Sequence, residues 1–352
     1  EVSAGGSEET GGGGMRRKIG IWRPTMQDSY LKTFHNLFLN VEENDNVKNT
    51  IEQASYVLDL VITKFGEIEN EMIEGVTRKD DFVDLVIILF IRKIMEQLDA
   101  INVLYSVGLF EPAQIMLRTL IENIVGLEFI LKEDTDKRAA AYFLEHHYQE
   151  LDKSETYFNA ESEYGKLIIS QIGKDKFDKD CEKLERKKQA FERLIKSNPI
   201  FRETDIARKK TLDLKKKQNK YKKKVYIQWY EVCSKVTSFY GLMKEVGYET
   251  YYEGIYGGLS FESHGLNVAM GMSVDENGFS LKWIRNPEGG RDTFELACAF
   301  SIGVLQKIYK YLGDGKSEMA EFKDFYMEFV KKRDIVAHNL DMIKCSSGNE
   351  SE

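Results

Sequence analysis

Apolar residues recur at helical spacing along most of the chain. Between residues 46 and 73 they fall at positions 51, 54, 57, 58, 61, 62 and 65, which is the spacing of one face of an α-helix. Residues 81–106 carry a second stripe of this kind, formed by Ile87, Ile91, Ile94, Met95, Leu98, Ile101 and Tyr105. The pattern therefore predicts two amphipathic helices in succession.

A third predicted helix, residues 111–133, is apolar almost all round. The segment SVGLFEP ends the preceding helix. Pro112 suits the first turn of the third helix, because proline has no N–H and the N–H groups of a first turn have no partner within the helix. A helix without a polar face is usually central to a bundle. Arg118 and Glu122 interrupt the apolar surface and lie on the same side, because they are four residues apart.

The second half of the chain predicts helices around one glycine-rich region. Residues 136–235 form a long polar helical stretch, and two more helices are predicted at 291–312 and 317–343. Asn-Gly and Pro-Glu-Gly-Gly turns within 273–292 predict a small hairpin or ordered loop. Only four prolines occur, and this scarcity of helix breakers favours an all-α fold.

Composition narrows the class of protein. The four cysteines are scattered without a Cys-x-x-Cys pair, so a cytoplasmic location is expected rather than a disulfide framework. No apolar run approaches the roughly 18 residues of a membrane span, and no membrane partner is expected. Glycine-rich nucleotide motifs and the zinc-hydrolase motif do not occur, so the sequence predicts neither a cofactor nor a metal site.

Changes in residue composition divide the chain into six predicted segments. They are an expression-tag remnant (1–14), an N-terminal helical region (15–80), core helices (81–150), a helical insertion with a basic arm (151–240), the C-terminal part of the bundle (241–345) and a disordered tail (346–352).

The basic arm is a local exception in a chain of net charge −8. Residues 208–224 hold ten lysines and arginines and one acid, which is the bias expected of a surface that contacts phosphates. Disorder and a protein partner are the alternatives for such a run. The predicted nucleic-acid contacts are Arg208, Lys209, Lys210, Lys215, Lys216, Lys217, Lys222, Lys223 and Lys224.

The helix pair at 91–132 resembles the HEPN superfamily (higher eukaryotes and prokaryotes nucleotide-binding), and most of all a bacterial HEPN-like group of which some members are associated with defence. The turn Gly108–Phe110, the run Leu117–Glu122 and the Ser260…His264–Gly265 segment carry the likeness. It implies an all-α, HEPN-like helical bundle that forms a homodimer, with the basic arm as an insertion.

Near the C-terminus, RDIVAH (333–338) is similar to the motif of active HEPN members, an arginine and a histidine separated by four to six residues. The resemblance implies a metal-independent RNA endonuclease, a hydrolase, in a bacterial antiviral-defence or toxin response. His338 would be the general acid–base, Arg333 would stabilise the charged phosphorane, and Asp334 would orient them.

The expected partners are RNA, for example tRNA, a second copy of the chain, and an antitoxin or another component of a defence complex. The alternative function is a catalytically inactive HEPN-like module that binds RNA, a nucleotide or a protein in such a complex.

A second candidate site competes with this motif. Ser260, His264, Arg118 and Glu122 compose it. In the HEPN-like pattern an arginine would stand where this chain has Leu259 or Ser260, so His264 lacks its usual partner. Arg118 is interpreted either as a phosphate ligand that faces His264 or as half of a buried ion pair with Glu122.

The Arg333…His338 motif has a difficulty of its own. Five residues advance a regular helix by about 500°, which leaves the two side chains about 140° apart. A distorted turn, the reach of the arginine or a second subunit would have to bring them together.

Overall fold

The computed structural model describes residues 45–75, 82–218, 224–259, 268–275, 278–281, 285, 289–313 and 317–343. The predicted tag remnant, the start of the N-terminal region and the predicted tail lie outside these residues. The described chain is all-α apart from one hairpin, which confirms the predicted fold class. No helix in this part of the chain has both the length and the apolarity needed to cross a membrane.

The helices follow one another with short connections in the first half of the chain. They are α1 (Asp45–Gly75), α2 (Phe82–Ser106), α3 (Phe110–Lys132), α4 (Thr135–Tyr157), α5 (Glu163–Ile172), α6 (Lys174–Ser197) and α7 (Pro199–Gln218). Three short helices come next, α8 (Trp229–Cys233), α9 (Phe239–Glu245) and α10 (Glu249–Tyr251), followed by a π-helical turn (Tyr252–Tyr256). After the hairpin, the chain ends in α11 (Gly290–Leu312) and α12 (Ser317–Asp341).

Five long helices close into one bundle. Helix α3 packs between α2 and α11, α1 packs between α2 and α12, and α12 packs on α11. Helix α11 also contacts α1, so each helix has at least two neighbours in the bundle. Their apolar stripes meet in a single core that includes Phe65, Ile91 and Leu120. The amphipathic patterns of α1, α2, α11 and α12 predicted these helices within a few residues, and the nearly uniform apolarity of α3 predicted its central position.

The turn between α2 and α3 explains why these two helices pack side by side. Gly108 adopts a left-handed conformation, with φ of 74°, which residues with a Cβ avoid. The chain reverses there within four residues, and Tyr105 stacks on Phe110 with ring centroids 4.1 Å apart. The hydroxyl of Tyr105 donates to the backbone oxygen of Gly290, and so fixes the start of α11 against this turn.

A second layer of helices lies beside the bundle. Helix α4 contacts α2 on one side and α7, α8 and α6 on the other. Phe201 of α7 is the centre of this layer, since its ring lies 4.5 Å from that of Phe82 in α2 and 5.3 Å from that of Phe143 in α4. Residues 208–218 of the predicted basic arm thus belong to α7, and this helix packs on α4 through its buried residues Phe201, Thr204 and Asp205, which precede the arm.

The predicted hairpin is present, and it precedes α11 in the chain. Strands β1 (Met272–Asp275) and β2 (Gly278–Leu281) pair antiparallel, with Ser273 opposite Ser280. Two residues separate the strands in the sequence, which is the connection length that tight hairpins favour. The predicted turn at Asn277 itself lies outside the described residues. Phe279 and Leu281 are largely exposed, so the hairpin adds little to the core.

The close approach at Gly290 yields a stability prediction. A Cβ at this buried position would lie 2.2 Å from a ring carbon of Phe110, which cannot move because it stacks on Tyr105. We expect Gly290→Ala to lower the free energy of unfolding by about 1–3 kcal/mol, the usual cost of overpacking. Thermal and urea unfolding followed by circular dichroism would measure it.

Gly258→Ala is the matched control for Gly290→Ala. It too lies in a helical stretch, but a Cβ there would meet no atom within 4 Å. We expect no loss of stability from it, because alanine restricts the unfolded chain more than glycine does. Equal stability of the two variants would contradict the close packing at Gly290.

Candidate functional site

A cleft of about 1250 Å³ opens in the second layer, between α4, α6, α7 and the extended segment 224–228. Tyr148, Phe191 and Leu212 are among the side chains that line it. Around them stand eight basic and five acidic side chains. In a chain of net charge −8, this excess of positive charge is a local property of the cleft.

A buried ion pair holds α7 on α4 at this cleft. Nε of Arg208 donates to a carboxylate oxygen of Glu145 at 2.6 Å, and both side chains are largely buried. The guanidinium of Arg208 also lies over the ring of Tyr148, 3.8 Å from its centroid. The Tyr148 hydroxyl in turn donates to Asp205 at 2.6 Å. Burial and the bond to Asp205 raise the pKa of Tyr148, so this phenol remains a donor at neutral pH.

Other cations around the cleft are paired with acids from neighbouring helices. The pairs are Lys209 with Asp205 at 2.7 Å, Lys188 with Glu155 at 2.8 Å and Lys224 with Asp152 at 2.5 Å. Because the basic member of each pair is more exposed than a core residue, these contacts are screened by water and each contributes little to stability. These pairs do, however, neutralise several of the cations, so the positive charge that remains lies at the basic side chains without an acidic partner.

Three basic side chains of the cleft have no ion pair within the described part of the chain. They are Lys153 on α4 and Arg202 and Lys216 on α7, and all three are exposed. Tyr226, 61% exposed, lines the same cleft, and the Lys224 ammonium lies 5.4 Å from its ring centroid. The cleft thus offers unpaired cations and an exposed aromatic ring together.

The nine predicted nucleic-acid contacts fall into three groups. Ion pairs hold four of them, Arg208, Lys209, Lys215 and Lys224. Lys210, Lys216 and Lys217 are exposed and have no ion pair among the described residues, whereas Lys222 and Lys223 lie outside those residues. Of the three exposed lysines, Lys216 lines the cleft, so much of the charge run serves to hold the layer together.

Two of the three unpaired cations escaped the sequence prediction. Lys153 and Arg202 lie outside the basic run, and neither stands in a conspicuous motif. A signal for Arg202 does exist, since Arg202, Lys209 and Lys216 follow one another at seven-residue intervals. Residues at that interval share one face of a helix, so the basic stripe of α7 could have been found by periodicity.

The predicted catalytic residues Arg333, Asp334 and His338 lie on α12. Arg333 is partly buried, lines a shallow hollow with Ile302 and Phe322, and donates through Nη2 to Asp334 at 2.5 Å. His338 is exposed. Because α12 is helical from 317 to 341, the five-residue interval directs Arg333 and His338 to different sides. A single chain does not bring the pair together.

The predicted pair Arg118–Glu122 has a third member, Tyr256. Nε of Arg118 lies 3.3 Å from the Glu122 carboxylate, the Tyr256 hydroxyl donates to that carboxylate at 2.5 Å, and the guanidinium lies 5.0 Å from the Tyr256 ring centroid. Burial and the bond to Glu122 raise the pKa of Tyr256 to about 12. These contacts are those of a half-buried ion pair within α3 that is hydrogen-bonded to a tyrosine of the π-helical turn.

The other members of that second site, Ser260 and His264, lie outside the described residues. They follow Tyr256 by four and eight positions. Whether Arg118 also acts as a phosphate ligand beside His264 therefore stays a prediction.

The residues that could hold a metal ion are dispersed. In the described ranges, histidine, cysteine, aspartate and glutamate side chains do not gather in groups of three or more that could bind one. The adjacent His146 and His147 are held by rings instead, since His146 stacks on Tyr142 and His147 lies between Phe143 and Phe191.

The comparison with protein families places the chain in a group without a known activity. Residues 84–280 match a family of unknown function (DUF5677), and the chain belongs to this family. Comparisons with curated proteins and with solved structures found no match. The matched range runs from α2 to β2, so it contains the cleft and the Arg118 network and ends before Arg333.

The Arg208–Glu145 pair predicts a large cost for a single substitution. Arg208→Ala would leave the Glu145 carboxylate buried without its cation and would remove the contact with Tyr148. We expect the free energy of unfolding to fall by about 2–4 kcal/mol. Lys210→Ala, an exposed position two residues along the same helix, should change it by less than about 0.5 kcal/mol. Chemical denaturation would measure the free energy of unfolding of both variants. Equal values for Arg208→Ala and Lys210→Ala would contradict the role of the pair.

Proposed function

We propose that this protein binds single-stranded RNA in the cleft between α4, α6 and α7. The observation that carries the proposal is the charge of the cleft: eight basic side chains against five acidic ones, in a chain whose net charge is −8. A polyanion is attracted to such a surface through its phosphates, largely by release of counterions.

The arrangement of the unpaired cations supports an extended ligand. Arg202 and Lys216 lie at opposite ends of α7, about 21 Å apart along the helix axis at 1.5 Å per residue, and Lys153 faces them from α4. The cleft volume of about 1250 Å³ exceeds the roughly 300–1000 Å³ of a small-molecule pocket. A flexible chain of phosphates can reach all three cations, which a single compact anion cannot.

Tyr226 supports a single strand rather than a duplex. Proteins that bind single strands combine a basic groove with exposed aromatic rings on which unpaired bases stack. Tyr226 is exposed at the cleft, so an unpaired base can stack on its ring while the phosphates of the same strand contact the unpaired cations. Bases paired in a duplex are already stacked and do not need this ring.

Reversal of one charge in the cleft tests the proposal. We expect Lys216→Glu to weaken binding of a fluorescein-labelled single-stranded RNA by roughly tenfold at about 0.1 M salt, because one phosphate contact is lost and a repulsion replaces it. Lys217→Glu is the matched control, since it makes the same change one residue away and outside the cleft-lining set. Fluorescence anisotropy measures both, and equal weakening would contradict the cleft as the site.

The salt dependence of wild-type binding provides a second measurement. With three unpaired cations on phosphates, the logarithm of the association constant should fall against the logarithm of salt concentration with a slope of roughly −2. A slope near zero, or no binding of any RNA, would contradict the proposal.

Endoribonuclease activity is the second candidate function, and the exposure of His338 favours it. An exposed imidazole is accessible to a bound ribose and is the kind of group that serves as a general acid or base. The resemblance to HEPN proteins adds the expectations of a homodimer, RNA or tRNA as substrate, an antitoxin or defence-complex partner and a cytoplasmic setting. Since Arg333 points elsewhere on α12, this activity requires a residue from a second chain.

Cleavage in the presence of EDTA tests the second candidate. If Arg333, Asp334 and His338 form the active site, wild-type protein should cut total RNA or tRNA, and His338→Ala should abolish the cleavage. His264→Ala shows whether the competing histidine acts instead, and His146→Ala is a control on a histidine that packs against Tyr142. Cleavage that survives loss of both His338 and His264 would overturn the site, and no cleavage would leave RNA binding alone.

A further inference from the structure

The ion pairs around the cleft differ in how deeply their acidic side chains are buried. Glu145 and Asp205, which pair with cations of α7, are only 5% and 7% exposed. Asp152 and Glu155 are 44% and 59% exposed. A buried carboxylate that loses its cation is left without water at a large cost, whereas water replaces the cation of an exposed one. The cations of Asp152 and Glu155 can therefore be released without loosening the fold.

Asp152 and Glu155 hold cations that the phosphates of a bound strand would otherwise contact. The two acids lie three residues apart on α4, on one side of the helix, and both line the cleft. Their cations come from the other walls of the cleft, Lys224 from the segment 224–228 and Lys188 from α6. Both oxygens of Asp152 accept from the Lys224 ammonium, at 2.6 and 2.5 Å. A phosphodiester also offers one negative charge on two free oxygens, so this carboxylate satisfies the lysine in the same way.

We propose that Asp152 and Glu155 are intramolecular competitors of RNA. They pair with Lys224 and Lys188 inside the cleft, and so they hold its affinity for RNA below the affinity that it would have with these two lysines free. The inference rests on the proposed RNA binding and adds a regulation of the same site, in which two carboxylates of α4 set how tightly a strand is held.

The balance of charges explains why RNA gains little by displacing these carboxylates. A phosphate that took Lys224 from Asp152 would only replace one negative charge by another. The displaced carboxylate would then stay beside the bound strand and repel it. Wild-type protein should therefore hold RNA through the cleft cations that have no ion pair in the described ranges, which are Lys153, Arg202 and Lys216.

The segment 224–228 has anchors other than the pair with Asp152. Ile227 is 1% exposed and packs beside α4. The backbone N–H of Gln228 donates to the carboxylate of Glu231 at 2.9 Å. Neutralisation of Asp152 should therefore free the lysine of this segment for RNA while the wall of the cleft stays in place.

Neutralisation of one carboxylate tests the proposal. We expect Asp152→Asn to tighten binding of the labelled single-stranded RNA by roughly fivefold at about 0.1 M salt, because one more cation then contacts a phosphate. Glu192→Gln is the matched control. Glu192 is also an exposed acid of the cleft, but it lies 3.8 Å from Lys196, which is too far for a hydrogen bond. Its substitution removes the same charge without releasing a bound cation, and should change the affinity by less than about twofold. Equal gains in fluorescence anisotropy titrations would reduce the effect to overall charge and overturn the proposal.

A double-mutant cycle shows whether the released lysine causes the gain. Lys224→Gln should alter the affinity of the wild-type protein by less than about twofold, but it should cancel the gain in the Asp152→Asn background. The same cycle with Glu155→Gln and Lys188→Gln tests the second pair. If each lysine substitution weakens binding equally in both backgrounds, the lysines already contact RNA in the wild-type protein, and the proposal is wrong.

Lys216→Glu separates a failure of this inference from a failure of RNA binding itself. Weaker binding by Lys216→Glu, without a gain from Asp152→Asn, would overturn the competition alone and leave the cleft as the RNA site. If neither the wild-type protein nor Asp152→Asn binds RNA while their circular dichroism is the same, the proposed function and this inference both fail.

Discussion

The enclosure of α3 is the constraint on which the fold depends. This helix is apolar on nearly every side, and its exposed residues are confined to its two ends, Glu111 and Pro112 at the start and Lys132 at the end. Every other polar side chain along it must therefore find a partner inside the protein, since an unpaired buried polar group costs several kcal/mol. For Arg118, Glu122 and Glu128, a partner comes from an element distant in the sequence.

Glu128 shows how this requirement arranges the bundle. Its carboxylate is fully buried and accepts hydrogen bonds from Lys307 of α11 and from Tyr248, which precedes α10. Burial raises the pKa of Glu128 while the contact with Lys307 opposes that rise. Near the other end of the helix, Tyr256 satisfies Arg118 and Glu122 in the same way. Two tyrosines from the region after the basic arm thus return to α3, so the insertion must leave and rejoin the bundle at fixed points.

The sequence predicted the helices better than the site, and ion pairing explains the difference. Apolar periodicity reports a helix locally, so α1, α2, α3, α11 and α12 were all predicted close to their observed bounds. The charge of a surface depends instead on partners that the sequence does not reveal. Arg208 is 63 positions from Glu145 and Lys224 is 72 from Asp152, so a run that looks uniformly basic is partly neutralised once folded. The charge that remains lies elsewhere, at Lys153 and Arg202 as well as Lys216.

Helix α4 lies between the five-helix bundle and the cleft. It contacts α2 with one face and, with another, carries Glu145 and Tyr148 at the cleft. Loss of Arg208 would therefore loosen α7 first, whereas the five-helix bundle keeps its own core. A ligand bound across α4 and α7 stabilises the contact between them by mass action. RNA that occupies the cleft should thus protect the amides of α7 from hydrogen exchange more than those of α1 or α12, which lie in the bundle. Uniform protection across all helices would mean that binding acts on global unfolding instead, and no protection of α7 would place the ligand outside the cleft.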